Sequence, residues 1–183
     1  MGHEISVTAL QVISMMNAIA YNGVQMKPMI VKKVTAPDGA VLQEFQPEEL
    51  GQPVSPSGAR RMRALLARVT EEGGTGTEAA VEGYTVGGKT GTAQKIRPAA
   101  EGGGYYDKNF TSSFAGFLPV ENPVIGIIVV ADDPGEYTES GRKIKYFGGT
   151  VCAPVFKEIA EFAVRYLRIS PEGNRVYVAG PEL

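Results

Sequence analysis

A chain of 183 residues, 43% apolar and 21% charged, is long enough to bury one core and too apolar to be disordered. Its net charge of −2, with no basic block, argues against a nucleic-acid partner. One cysteine, Cys152, excludes an internal disulfide, and with one histidine, His3, leaves no soft-metal cluster, so no metal or cofactor is expected.

The longest apolar run, Ile127 to Ala131, is too short to span a membrane, and no signal-peptide pattern follows Met1. The chain as given therefore reads as soluble and carries no address.

Ser6 to Ala20 reads as a helix, with Val7, Leu10, Ile13 and Ala18 near helical spacing and Ser6 or Thr8 as its cap. Asn22-Gly23 stops it. Met29 to Thr35 and Ala40 to Phe45 read as two strands joined by the turn Pro37-Asp38-Gly39. Pro47 to Pro56 is a polar connection.

Ser57 to Thr70 is a second helix, with Met62, Leu65, Leu66 and Val69 inward and Arg60, Arg61, Arg63 and Arg68 on a solvated face. A glycine-rich loop over Glu72 to Gly76 precedes a central strand from Tyr84 to about Lys95. After a second loop, Pro98 to Gly104, two more strands follow at Asn109 to Leu118 and Val124 to Ala131.

Asp132 to Gly141 is a polar turn region, with Asp132 and Asp133 as turn formers. Gly148-Gly149-Thr150 then leads into a long last helix with Pro154 in its first turn. Val155, Phe156, Ile159, Phe162, Ala163, Tyr166 and Leu167 form one apolar stripe on it.

Short links between the strands imply antiparallel neighbours, and the long helices must then cover the sheet faces. The expected class is α+β, an antiparallel sheet with helices packed on its faces. One domain over residues 1–170 is followed by a mobile tail, 171–183.

The chemistry concentrates in Gly87 to Gln94. Lys89, Thr90 and Thr92 stand there among small residues. On an extended edge strand Thr90 and Thr92 share a face, and Gly91 lets a ligand's backbone approach. An anion of peptide-like shape fits such a strand.

Three motif matches compete. Gly83 to Thr90 satisfies the phosphate-loop pattern G-x-x-x-x-G-K-[ST], and Ile125 to Asp132 imitates its magnesium-holding strand. That motif needs a buried strand before it and a helix opening at the lysine, and neither flank reads so. Gly74 to Ala79 mimics a dinucleotide fingerprint but follows a helix, so it reads as a flexible loop. Ser140-Gly141-Arg142-Lys143 matches S-x-x-K but lies in a polar turn rather than at the start of a buried helix.

Lys89-Thr90-Gly91 matches the third motif of penicillin-binding proteins and serine β-lactamases. The flanking segments extend the match in order. They are Gly2 to Gln11, ending in V-T-x-L-Q; Gly23 to Pro28; Lys89 to Gln94; Phe114 to Pro119; Ile128 to Pro134; and Tyr146 to Gly149 with Ala153 to Phe156. The chain resembles the second half of the transpeptidase domain of class B penicillin-binding proteins, of the division and sporulation group.

The resemblance implies a partial serine β-lactamase/transpeptidase-like fold. It implies peptidoglycan stem peptides and β-lactams as ligands, and action outside the cytoplasmic membrane. It carries a catalytic role to Lys89 and substrate binding to Thr90, Gly91 and Thr92, with the Thr92 N–H as an oxyanion donor. A lysine there attracts a substrate carboxylate and biases proton transfer, and the hydroxyls can hydrogen-bond that carboxylate.

The departures are equally definite. No Ser-x-Asn occurs, and the only S-x-x-K is at Ser140. The chain is therefore expected to be inactive alone and to need the missing N-terminal half as a partner, with self-association of the exposed sheet face as the alternative. A non-catalytic cell-wall interaction or sensor module is the rival function.

Overall fold

The computed structural model describes residues 5–135 and 145–172. His3, the S-x-x-K match at Ser140 and tail residues 173–183 lie outside that range.

Helix α1, Ala9–Ala20, opens on Thr8. The Thr8 hydroxyl accepts the Gln11 N–H at 3.2 Å, and the Gln11 side chain accepts the Thr8 N–H at 2.8 Å, so two orphan donors are satisfied at once. The helix ends where Asn22 and Gly23 turn left-handed, at φ 51° and 91°.

Two short ladders follow. Strand β1, Gln25–Met26, pairs antiparallel with β4, Glu49–Gly51, inside the stretch expected to be only a connection. Between them β2, Lys33–Thr35, and β3, Val41–Glu44, form the expected hairpin, whose first strand starts four residues later than the sequence suggests. Its turn is held by the Asp38 carboxylate, which accepts the Ala40 N–H at 3.0 Å.

Helix α2, Pro56–Ala67, is capped by Ser55, whose hydroxyl accepts the Gly58 N–H at 3.1 Å. One of its arginines departs from the solvated-face expectation. Arg63 is buried, and its guanidinium donates to the Ile19 and Ala20 carbonyls at 3.3 Å each and to Asn22 Oδ1 at 3.1 Å. It caps the last turn of α1, whose carbonyls have no partner within their own helix.

The sheet that carries the rest has the order β5-β6-β7, all antiparallel. These strands are β5, Gly87–Ile96; β6, Tyr105–Leu118; and β7, Ile125–Asp132. Strand β6 begins four residues before its expected start, directly after Gly102, Gly103 and Gly104 turn the chain at positive φ. Asp132 belongs to β7 rather than to the turn, and it pairs with Lys95 at 3.2 Å. Asp133, at φ 54°, is the turn former.

The last helical segment is two helices. Helix α3, Gly148–Val151, meets α4, Ala153–Tyr166, at Cys152.

Alternation along β6 sorts the core onto two faces. On one face Phe114 and Leu118 pack with Ile127, Val86, Cys152, Phe156 and Ala160, and the Phe114 and Phe156 rings meet edge-on at 4.8 Å. On the other, Ala115 and Phe117 pack with Met16 of α1 and Leu66 and Ala67 of α2. The expected single stripe of α4 divides. Phe156, Ala160, Ala163 and Val164 face the sheet, while Val155, Ile159, Phe162 and Tyr166 are exposed.

Candidate functional site

Strand β5 is one edge of the three-stranded sheet, and its first residues set its closeness to the core. A Cβ on Gly87 would lie 2.9 Å from the Phe117 ring, and one on Gly88 would lie 2.5 Å from the Phe114 ring. Only glycine lets the strand sit so tightly on two aromatic side chains.

Beyond the glycines the register assigns each side chain a face. Lys89 is opposite Ala115 and Gly91 opposite Ser113, on the side of α1 and α2. Thr90 is opposite Phe114 and Thr92 opposite Ser112, on the side of α3 and α4. The two hydroxyls do share a face, as alternation predicts.

Lys89 starts from the opposite face and curls around the edge. Its Nζ donates to the Thr90 carbonyl at 2.9 Å and to Thr90 Oγ1 at 3.4 Å. Among the described residues it has no carboxylate partner. The Thr90 carbonyl therefore points off the sheet, because a side chain at the free edge reaches it. Both main-chain groups of a residue in an antiparallel strand turn the same way, and the pattern repeats every second residue. The Thr92 N–H consequently points off the same edge.

The hydroxyl side is closed by the start of α3. The Gly148 N–H donates to Thr92 Oγ1 at 3.2 Å. A Cβ at Gly148 would lie 2.1 Å from the Ser113 carbonyl oxygen, so this backbone rests directly on the sheet. Thr75, from the loop after α2, places its Oγ1 3.2 Å from Thr90 Oγ1. Thr75, Glu78, Thr90, Thr92, Phe147 and Gly149 are among the residues lining an open cavity of about 820 Å³ on this side. On the other face Gly91 makes room for the Ser113 hydroxyl, since a Cβ there would lie 2.4 Å from Ser113 Oγ.

Cys152 lies behind the site at the α3–α4 junction and is fully buried, and burial pushes its thiol above the ordinary range. Among the described residues no three His, Cys, Asp or Glu side chains converge on a point that could hold a metal.

Each residue singled out from sequence, Lys89, Thr90, Gly91 and Thr92, lies on this one strand. The phosphate-loop reading is overturned: residues 87–96 are strand, and no helix opens at Lys89. The glycine-rich segment around Thr75 is not a loose loop, because Gly76 lies against the Phe114 ring. Thr75 and Gly148 were not legible as site residues, since both arrive through tertiary packing. The one local signal for Thr75 is its position between two glycines.

An antiparallel sheet with helices on both faces and a lysine-threonine edge strand defines the transpeptidase-like α+β class. The model of the penicillin binding protein transpeptidase domain matches residues 1–161, and the chain belongs to that family.

Its relatives place it with the class B, division and sporulation group. It is 38% identical over 170 residues to penicillin-binding protein PbpB of Mycolicibacterium smegmatis, covering 90% of this chain and 25% of that protein. It is 34% identical over 176 residues to stage V sporulation protein D of Bacillus subtilis, covering 96% of this chain and 25% of that one. Among solved structures, penicillin-binding protein 3 of Mycobacterium tuberculosis complexed with ampicillin superposes with a TM-score of 0.79. The identity there is 31%, over 96% of this chain and 38% of that one. The transpeptidase domain of Burkholderia pseudomallei penicillin-binding protein 3 gives a TM-score of 0.71 at 35% identity, over 93% of this chain and 46% of that one. The chain thus spans about a quarter of the length of the two relatives compared by sequence.

Proposed function

We propose that this chain supplies the substrate-binding strand of a peptidoglycan D,D-transpeptidase, and that β-lactams bind at the same edge. The observation that carries this reading is the free edge of β5. There the Lys89 ammonium, the Thr90 and Thr92 hydroxyls and the out-turned Thr92 N–H lie within one short strand.

Each group has a task in acyl transfer. A stem peptide ending in D-Ala-D-Ala lies along the edge as an added strand. The hydroxyls and the Lys89 ammonium attract its terminal carboxylate. The Thr92 N–H is aimed at the scissile carbonyl oxygen, where negative charge develops on attack; one such donor is worth about 3 kcal/mol of barrier. A serine from another segment forms the ester as the last D-Ala leaves with a proton. The amine of a neighbouring stem peptide then displaces the serine, forming the cross-link and returning the serine proton. Lys89 biases these transfers by its charge.

The chain has no Ser-x-Asn, and its one S-x-x-K is at Ser140, so we assign the nucleophile and the second oxyanion donor to a segment outside this sequence and expect the isolated chain to be inactive. The work would take place at the outer face of the cytoplasmic membrane. Among the described residues no helix is long and apolar enough to cross a membrane.

Labelling with fluorescent penicillin tests the proposal. The complete transpeptidase carrying this segment forms a denaturation-resistant adduct, whereas the isolated chain forms none. An adduct on the isolated chain, or none on the complete protein, overturns it.

A further inference from the structure

We infer that Glu78 selects ligands by charge: it favours those that carry a positive group beside the bound carboxylate and disfavours a second negative one. This rests on the transpeptidase reading of the β5 edge and adds a specificity-determining residue from outside the Lys-Thr-Gly strand.

Among the described residues that line the cavity of about 820 Å³, Glu78 alone carries a charge; the rest are threonine, glycine, phenylalanine and proline. The Lys89 ammonium reaches Thr90 from the free edge of β5, with Nζ 3.4 Å from Thr90 Oγ1. A carboxylate held at Thr90 and Thr92 therefore has a cation on the β5 side and an anion on the side of the loop after α2. Among the described residues no lysine or arginine forms an ion pair with Glu78. Its charge is left to act on whatever fills the cavity.

The turn that carries Glu78 is anchored. Ala79, the next residue, is fully buried in the core beside Phe114 and Phe156. The Ala79 N–H donates to the Gly76 carbonyl at 2.9 Å, and the Ala80 N–H donates to the Thr77 carbonyl at 3.1 Å. Gly76 cannot shift toward the sheet, because a Cβ there would already lie 2.6 Å from the Phe114 ring. Glu78 thus projects from a fixed backbone, and only its own side chain is free to adjust.

Cephalosporins carry the matching chemistry. Their carboxylate and C3 substituent sit on adjacent ring carbons. A carboxylate bound at the Thr90 and Thr92 hydroxyls brings that substituent into the cavity with Glu78. Charges so placed interact modestly at an exposed site. Salt weakens them, since the screening length falls from about 10 Å at 0.1 M to about 3 Å at 1 M.

The experiment uses the complete transpeptidase and two cephalosporins that differ only at C3: cephaloridine, with a pyridinium, and cephalothin, with an acetoxy group. Second-order acylation rates are measured at low salt, and comparing variant with wild type cancels the intrinsic reactivity of each drug. In Glu78→Gln the cephaloridine rate falls and the cephalothin rate rises, so their ratio drops about two- to fivefold, the size of one exposed charge pair. Glu78→Lys lowers the ratio further, Glu78→Asp keeps most of it, and salt of about 1 M removes the difference. A ratio unchanged or raised in Glu78→Gln overturns the inference. Equal slowing with both drugs makes Glu78 merely structural and overturns it too. In those cases the wild-type enzyme is still acylated and the transpeptidase reading stands. A wild-type enzyme that neither cephalosporin acylates overturns both.

Discussion

The Gly148 N–H donates to Thr92 Oγ1 at 3.2 Å, so the entry of the last helical segment is tied to the fourth residue of the Lys-Thr-Gly-Thr strand. The bond joins residues far apart in sequence and closes one side of the cavity that Thr90 and Thr92 line. A Cβ on Gly148 would be driven to 2.1 Å from the Ser113 carbonyl oxygen, a backbone atom that cannot swing aside. Gly148→Ala is expected to lower stability by about 1–3 kcal/mol, the usual cost of forcing an atom into packed structure. Thermal unfolding measures that loss, and penicillin labelling of the complete enzyme should fall further than the stability loss explains.

Lys89→Ala separates function from fold. The lysine is exposed and, among the described residues, has no carboxylate partner, so its removal should leave the melting temperature nearly unchanged. A charge-assisted hydrogen bond is worth about 1.5–3 kcal/mol. Acylation of the complete enzyme by penicillin should slow by about ten- to a hundredfold. A melting temperature that falls as sharply as the rate would contradict the assignment.

Arg63 makes the opposite prediction. Its guanidinium satisfies the Ile19 and Ala20 carbonyls while buried. Arg63→Met removes the donor and leaves polar groups without a partner, at a cost of about 1–3 kcal/mol. Urea denaturation should show the midpoint shift. Arg60→Met and Arg61→Met, at exposed positions of the same helix, should move it by less than about 0.5 kcal/mol.

The outer stripe of α4 bears on association. Val155, Ile159, Phe162 and Tyr166 are 42%, 42%, 62% and 74% exposed, and the Phe162 and Tyr166 rings stack at 5.8 Å. Contiguous apolar surface of this kind seeks cover. Sedimentation velocity of the isolated chain should show concentration-dependent self-association, weakened by Phe162→Glu. Association unaffected by that change would assign it to another surface.

Cys152 gives a pH test. Burial raises the folded-state thiol pKa, with a bond to the Ala131 backbone as a smaller opposing influence. The stabilising contribution is full below the ordinary thiol value and is lost as pH rises through the raised one. Iodoacetamide at about pH 8 should therefore alkylate the native chain far more slowly than the urea-unfolded one, because the reagent attacks thiolate. Equal rates would show that the α3–α4 junction opens readily.

The parts of the molecule written in local periodicity were legible. Thr90 and Thr92 alternate along β5, and α1 announces itself through Thr8, its apolar spacing and Asn22-Gly23. Strands β1 and β4 have only two and three residues, too few to show a period. Arg63 looked like its exposed neighbours because its partners lie more than forty positions away. The stripe of α4 was real, but which part of it meets the sheet depends on where Phe156 finds Phe114. Thr75 was hidden for the same reason: its partner Thr90 is on another element.

Under the proposed function, the out-turned Thr92 N–H has a consequence for selection under antibiotic pressure. Every amino acid except proline carries that hydrogen, so a single codon change at position 92 rarely deletes it. Substitutions that discriminate between drug and natural peptide then fall on the side chains around it, such as Thr75, Glu78 and Phe147 of the same cavity, rather than on the amide itself.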